Sequence, residues 1–210
     1  MAHDPFAQLL EPGRRRRICK QRVDVVGIVE HAAVHRAKPT PGASDMELRK
    51  LDPSKHAALV AGLFLKSNDF VRLTEGVDAG PAQVAGFFKG VPPGCDIARS
   101  VKVGLFEGAA LIGIADMAFG YPEAGDGYIG LMLFAPEMRG KGLGKALLAL
   151  LEEEARARGA ERLFAGVIQA NTGARGFWLR EGFLPVKTLG PVTISAHAHM
   201  VDRMAKMLKK

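Results

Sequence analysis

An apolar run, a glycine-rich basic turn and the strongest helical pattern of the chain follow one another directly, and this succession constrains the fold most. Tyr128–Phe134 is nearly continuously apolar, as in a central strand that is buried on both faces. The turn Arg139–Lys145 contains three glycines and three basic residues. Leucines then recur at helical spacing in Gly142–Arg158, and Gly159 is suited to end the helix. We predict a strand, a tight turn and an amphipathic helix.

The turn Arg139–Lys145 has the chemistry of a pyrophosphate site. The first turn of a helix leaves backbone N–H groups unpaired and carries a partial positive charge. Glycines let that backbone approach a bulky anion, and Arg139, Lys141 and Lys145 add full positive charges. Together these features predict that a phosphate-bearing ligand binds where the strand passes into the helix.

Other kinds of glycine-rich site fit this turn less well. A dinucleotide-binding fold places its glycines in the first βα turn, with an acidic residue about 20 residues later, whereas this turn comes late in the chain. A P-loop needs a hydroxyl group after its lysine, and Ala146 follows Lys145. A loop that is rich in glycine only for close packing remains open.

The chain from Met46 onward mixes strand and helix patterns. Asp52 and Asn171 are suited to cap helices, and Glu107-Gly108 is suited to a hairpin turn. Glu152–Glu154 are expected to face solvent. The predicted strands, besides the one before the turn, are 46–51, 101–106, 110–118, 162–168, 183–186 and 192–200, and the other predicted helices are 53–65, 81–89 and 172–181.

Residues 1–45 differ from the rest in composition. They contain the run Arg14–Arg17 and end in a turn-rich break at 38–42. We interpret them as a poorly ordered leader or a non-native N-terminal extension, and we place the folded domain at 46–210.

The basic charge balance suits a ligand with several phosphates better than a nucleic acid. The net charge is +7, but Arg14–Arg17 is the one basic run and no aromatic ladder accompanies it to stack bases. Cys19 and Cys95 are the two cysteines, which argues against a disulfide scaffold or a zinc site and favours a cytoplasmic protein. The sequence contains no run of 18 or more apolar residues, so it predicts no membrane-spanning helix.

Two blocks of the sequence resemble those of a known enzyme family. The turn fits the pattern Gln/Arg-x-x-Gly-x-Gly/Ala, the coenzyme-A signature of the GNAT superfamily of N-acetyltransferases. A second block follows in the family's order, and the resemblance covers roughly Met46 to the C-terminus. The matching residues are Arg139, Gly142 and Gly144 in the first block and Asn171, Ala174, Phe177, Trp178, Gly182 and Phe183 in the second.

The resemblance implies a fold and a reaction. The fold is an α/β (α+β) domain whose mixed, mostly antiparallel central sheet is splayed at a cofactor groove and flanked by helices. The reaction is direct transfer of an acetyl group from acetyl-coenzyme A (acetyl-CoA) to a primary amine, without a metal. The acceptor is left open between a small-molecule amine and a protein amine, and a homodimer is also left open.

The resemblance also assigns residues to the cofactor. Loop amides hold the pyrophosphate, with Arg139 ordering the loop, and the preceding strand pairs with the pantetheine arm. Asn171 contacts the pantetheine side, and Trp178 packs against the cofactor or donates a hydrogen bond to it. The residues so assigned are Met132, Leu133, Phe134, Arg139, Gly140, Lys141, Gly142, Leu143, Gly144, Lys145, Asn171 and Trp178.

The chain departs from the family at both of its usual acid–base positions. Trp178 stands where relatives often have a tyrosine that protonates the leaving thiolate, and an indole N–H cannot give up its proton. Gly166 stands where many relatives have a glutamate base. Tyr128 is the first candidate for a catalytic role, although a structural hydroxyl is the alternative. Weaker candidates are Asp116, Glu75 and Glu137, and His197 and His199 are expected to share one face of the last strand.

These departures keep two other functions open. A coenzyme-A-binding module with impaired catalysis would explain Trp178 and Gly166. An RNA- or ribosome-associated protein would use Arg14–Arg17.

Overall fold

A seven-stranded sheet organises residues 46–208, which are the residues that the computed structural model describes. Residues 1–45, including the run Arg14–Arg17, lie outside this range, so the hypothesis about them stays a prediction. The strands are β1 Met46–Lys50, β2 Val101–Glu107, β3 Ala110–Phe119, β4 Asp126–Phe134, β5 Arg162–Ile168, β6 Leu184–Ile194 and β7 His197–Met207. The helices are α1 Pro53–Lys66, α2 Asn68–Glu75, α3 Pro81–Lys89, α4 Leu143–Ala157 and α5 Thr172–Arg180, with short 3₁₀ turns at Ile97–Arg99 and Pro136–Met138.

The sheet is mixed and mostly antiparallel, so the predicted fold class is confirmed. Its strand order is β1-β2-β3-β4-β5-β7-β6. Only β4 and β5 are parallel neighbours, and α4 supplies the crossover that a parallel pair needs. Within residues 46–208, no helix is long and apolar enough to cross a membrane.

The sheet splays between its two parallel strands. β4 and β5 pair from Asp126 opposite Arg162 to Ile129 opposite Ala165, and no further. β4 nevertheless continues to Phe134 and β5 to Ile168. A cleft therefore opens between the C-terminal halves of these strands, as the resemblance implies.

A β-bulge lies where this cleft begins. Asp116 of β3 pairs with Leu131, whereas the next residue, Met117, pairs with Ile129. Gly130 thus has no partner on β3, and such an extra residue bends a strand and increases its twist. The bulge turns the second half of β4 away from β5.

Each face of the sheet is covered by its own helices. Asp202 and Lys206 of β7 contact α5 and α4 through ion pairs with Arg175 and Glu152, so one face carries α4 and α5. On the other face, Lys102 of β2 donates to the carbonyl of Gly90 just after α3. We call these the α4–α5 face and the α1–α3 face.

Tyr128, Gly166 and Arg203 share the α1–α3 face with Lys102 and Asp116. Side chains directly opposite on neighbouring strands share a face, as do those two residues apart. Lys102 lies opposite Asp116; Ala118, two residues on, lies opposite Tyr128. Tyr128 in turn lies opposite Phe164, and Gly166, two residues further, lies opposite Arg203.

Three local predictions were wrong or incomplete. The helix α2 was not predicted, because its eight residues are largely polar and follow α1 after the single residue Ser67. The last two strands were misdivided: a register shift between Leu189 and Val192 keeps β6 continuous, and the turn falls at Ser195, whose φ is +52°. Glu152 was expected to face solvent but is buried, because Lys206 and Arg156 pair with it.

Candidate functional site

Six consecutive backbone amides, those of Gly140–Lys145, precede the first hydrogen bond of α4. The first bond of α4 runs from the amide of Ala146 to the carbonyl of Gly142, at 3.2 Å. Within residues 46–208, none of the six earlier amides donates to another protein group. Unpaired amides at a helix start form a ready anion site.

Three glycines shape this loop in two different ways. Gly140 and Gly142 have φ values of +75° and +80°, a region that costs other residues energy. A Cβ at either position would meet nothing within 4 Å, whereas one at Gly144 would lie 3.2 Å from the ring of Phe177. Close packing therefore explains Gly144 only, and the first two glycines serve the backbone conformation.

Arg139 ties the loop to its surroundings. Its Nε donates to the carbonyl of Phe134 at 3.1 Å, and its guanidinium forms a bidentate ion pair with Asp69 of α2. The Arg139 hydrogen bond lowers the pKa of the Asp69 carboxyl. Ser67 donates to the same Phe134 carbonyl at 3.3 Å. Arg139 thus ties the loop to α2 and to the end of β4, whereas Lys141 and Lys145 are exposed.

The second half of β4 presents an open edge to the cleft. The amide of Ala135 donates to Ile112 of β3 at 3.0 Å, and alternate residues of a strand direct their backbone groups to opposite sides. Met132 and Phe134 therefore direct their amides toward the cleft, while the backbone of Leu133 faces β3. Only two of the three predicted pantetheine-binding residues have this orientation, because a strand pairs with each neighbour through every second residue.

The start of α5 borders the same cleft. The Asn171 side chain accepts from the amide of Ala174 at 3.0 Å, so it caps α5 as its sequence position predicts. Next to it, the buried carboxylate of Asp202 accepts from Gln169, Arg175 and Thr188 at 2.8–3.0 Å. Sequence reasoning missed Asp202, because its partners come from β6, α5 and the end of β5.

We expect Asp202→Asn to lower the free energy of unfolding by about 1–3 kcal/mol at neutral pH, since hydrogen bonds to a buried charge are lost. Hydrogen bonds from Gln169, then from Arg175 and Thr188, lower the pKa of Asp202. A lowered folded-state pKa contributes stability above the ordinary aspartate pKa of about 4, and this contribution declines as the pH falls further. Urea unfolding should therefore separate the two proteins at neutral pH and bring them together in acid.

The exposed carboxylate of Asp78, which pairs with Arg72, provides the control for this measurement. Asp78→Asn should leave the stability nearly unchanged, because solvent screens an exposed ion pair. An equal loss in both variants would contradict a specific role for the Asp202 network.

Trp178 lies in the core rather than on an open surface. Its ring packs edge-to-face against Phe177 and Phe183, with centroids 5.2 and 4.8 Å away, and it is 7% exposed. Within the described residues it makes no hydrogen bond. The geometry supports a packing role for Trp178 rather than one in proton transfer.

Tyr128 occupies the space that a side chain at Gly166 would fill. A Cβ at Gly166 would lie 2.6 Å from the Tyr128 hydroxyl oxygen. Burial raises the pKa of Tyr128 well above its ordinary value, so this hydroxyl stays protonated and cannot act as a base. Tyr121 packs edge-to-face against it at 5.3 Å and accepts a hydrogen bond from Arg203 at 2.6 Å.

The remaining candidates lie at different places around the domain. Glu75 ends α2, where Gln83 donates to it at 2.8 Å and burial raises its pKa. Glu137 is exposed beside Lys66. His197 and His199 share a face, with ring centroids 5.7 Å apart, and lie against the end of α2. Only Asp116 lies at the bulge of β4.

Comparisons with known proteins find similarity to acetyltransferases. The model of the acetyltransferase (GNAT) family matches residues 88–183. YobR, an uncharacterized N-acetyltransferase of Bacillus subtilis (strain 168), is 39% identical over 71 residues, which span 33% of this chain and 29% of YobR. This match thus covers less than a third of that relative.

Solved acetyltransferases have the same fold. One from Thermus thermophilus is 28% identical, with a TM-score of 0.61 over 78% of this chain and 97% of that one. The PaiA N-acetyltransferase of Thermoplasma acidophilum, solved with coenzyme A, is 18% identical, with a TM-score of 0.58 over 77% of this chain and 98% of that one.

Proposed function

The chain belongs to the GNAT superfamily of acetyltransferases, and from this premise we propose that it moves an acetyl group from acetyl-CoA to a primary amine by direct transfer. The observation that carries the proposal is the array of unpaired amides, Gly140–Lys145, at the end of a strand whose edge is open. A pyrophosphate with an extended arm matches this combination.

The cofactor then has a defined direction along the cleft. The loop amides hold the pyrophosphate, and the exposed lysines 141 and 145 add charge. The pantetheine arm pairs with the amides of Met132 and Phe134 as an added strand would. Four residues separate Phe134 from Gly130, or about 13 Å of strand, so the thioester lies toward the bulge. Coenzyme A in the PaiA structure supports this ligand class.

The chemistry rests mainly on positioning. Holding the amine against the thioester removes much of the entropic barrier, and the amide of Met132, the open amide nearest the bulge, is placed to stabilise the oxyanion. A thiolate is a tolerable leaving group, because thiols have a pKa near 8.5. Tyr128 contributes a fixed hydroxyl to the wall of the cleft.

Two measurements on the wild-type protein test the proposal. Calorimetry should detect acetyl-CoA binding, and a thiol-release assay with a panel of amines should detect coenzyme A released together with an N-acetylated product. Product identification by mass spectrometry excludes simple hydrolysis of the thioester. Absence of cofactor binding would remove the proposal entirely.

An alternative function is a coenzyme-A-binding module with impaired catalysis. The observations that favour it are Trp178 in the core and Gly166 on β5, in place of the family's usual acid and base. Tight cofactor binding without turnover on any amine of the panel would favour this alternative over the enzyme.

A further inference from the structure

We propose that Asp116 is the catalytic base, which takes the proton from the acceptor amine at the bulge of β4. This proposal rests on the proposed function. It assigns a residue to the removal of the amine proton, a step for which Trp178 and Gly166, at the family's usual acid–base positions, supply no group. Asp116 lies on β3, on the α1–α3 face, whereas α4 begins on the opposite face.

Gly130 keeps its own side of the Asp116 carboxylate clear of side-chain atoms. A Cβ at Gly130 would lie 2.9 and 3.1 Å from the two carboxylate oxygens of Asp116. Any side chain at this position would therefore cover the carboxylate. Gly130 itself is exposed, and the Asp116 side chain is 17% exposed.

A buried lysine pairs with this carboxylate. The Nζ of Lys102 lies 3.4 Å from Oδ2 of Asp116 and donates to the carbonyl of Gly90 at 3.0 Å. It also lies 5.5 Å from the ring centroid of Phe87. The Lys102 side chain is only 8% exposed, so Lys102 itself is largely out of reach of the acceptor.

Two further polar groups, Tyr128 and Arg203, lie on the same face of the sheet as Asp116. Burial raises the pKa of Tyr128 of β4, the charge of Asp116 raises it further, and Arg203 of β7 lowers it. The guanidinium of Arg203 is oriented by Tyr121, to which it donates at 2.6 Å. Among Asp116, Lys102, Tyr128 and Arg203, the carboxylate of Asp116 is therefore the group that can accept a proton, because Lys102 and Arg203 are basic and the Tyr128 hydroxyl stays protonated.

The proposed step accounts for every proton. The acceptor arrives as an ammonium ion and gives one proton to Asp116, directly or through a water molecule. The neutral amine attacks the thioester carbon; the C–N bond forms and the C–S bond breaks. The second proton lost by nitrogen goes to the departing thiolate, and Asp116 then releases its proton to solvent.

Asp116→Asn is expected to lower kcat by at least about 100-fold, the usual effect of removing a positioned base, while calorimetric affinity for coenzyme A stays unchanged. The pH profile should also change. Wild-type kcat/KM should level off at a moderate pH, whereas the variant should keep rising toward the amine pKa of about 10, because it can use only amine that is already neutral.

Two further variants separate catalysis from folding. Lys102→Met combined with Asp116→Asn removes both charges of the buried Lys102–Asp116 pair, and it should show the same loss of kcat. Glu152→Gln removes a carboxylate from a different buried lysine pair, with Lys206 on the α4–α5 face, and turnover should stay at the wild-type level.

The outcomes distinguish this proposal from the proposed function. A wild-type protein that acetylates no amine would end both. A wild-type enzyme that turns over while the folded Asp116→Asn protein matches its kcat and its pH profile would overturn the role of Asp116 alone.

Discussion

Replacing Gly142 with valine is expected to weaken acetyl-CoA binding by about 100-fold or more. Gly142 has a φ of +80°, and a β-branched residue there costs about 1–3 kcal/mol of backbone strain. The loop relieves this strain by leaving its left-handed conformation, which turns the neighbouring amides away from the pyrophosphate. A loss of about 2.7 kcal/mol of binding energy corresponds to the expected change in Kd.

Gly159→Val is the matched control for this prediction. Gly159 lies just beyond the other end of α4 with a φ of +78°, and a Cβ there also meets nothing within 4 Å. Both variants should lose similar thermal stability, but only Gly142→Val should lose affinity in calorimetry. Equal affinity in the two variants would refute the loop as the cofactor site.

The sequence signals for the cofactor side of the cleft are local, and so this part could be predicted. An apolar strand, a left-handed glycine turn and a leucine-patterned helix each depend on residues within a few positions. The β4 strand, α4 and the Asn171 cap are therefore confirmed with small changes of boundary. The helix α2 was missed, and with it Asp69, the partner of Arg139.

The acceptor side of the cleft depends on register, which sequence alone does not reveal. At the turn of the β2–β3 hairpin, Glu107 lies opposite Ala110. If the pairing continued regularly from there, Lys102 would lie opposite Ala115. The irregularity between Leu105 and Phe106 shifts the pairing by one residue, so that Lys102 lies opposite Asp116. A one-residue shift in register changes which side chains of two neighbouring strands share a face. Here it brings Lys102 and Asp116 to the same face, where they form the buried ion pair.

The missing glutamate at Gly166 has a related structural explanation. Tyr128 on the neighbouring strand fills the space beside Gly166, so a side chain could not be restored there without displacing the tyrosine. Tyr128 on β4 thus takes the space that a side chain at position 166 of β5 would need. The base that we propose, Asp116, lies on β3 instead.

Trp178→Ala is expected to lower the free energy of unfolding by about 3–5 kcal/mol, as is usual when a large aromatic side chain is removed from a core. Trp178 packs against Phe183, which is fully buried, with ring centroids 4.8 Å apart. Because domains of this size are stable by only about 5–15 kcal/mol, urea unfolding should show a large shift. Leu184→Ala, at a side chain that is 64% exposed, should change the midpoint little.

Trp178→Phe distinguishes packing from chemistry at the same position. Phenylalanine keeps most of the ring volume but lacks the indole N–H, which pairs with no described residue. We expect this variant to keep most of the stability lost in Trp178→Ala and to acetylate amines at the wild-type kcat. A variant that remains folded and binds coenzyme A normally but loses turnover would show that the indole N–H acts in the reaction, and the assignment of Trp178 to the core alone would then be wrong.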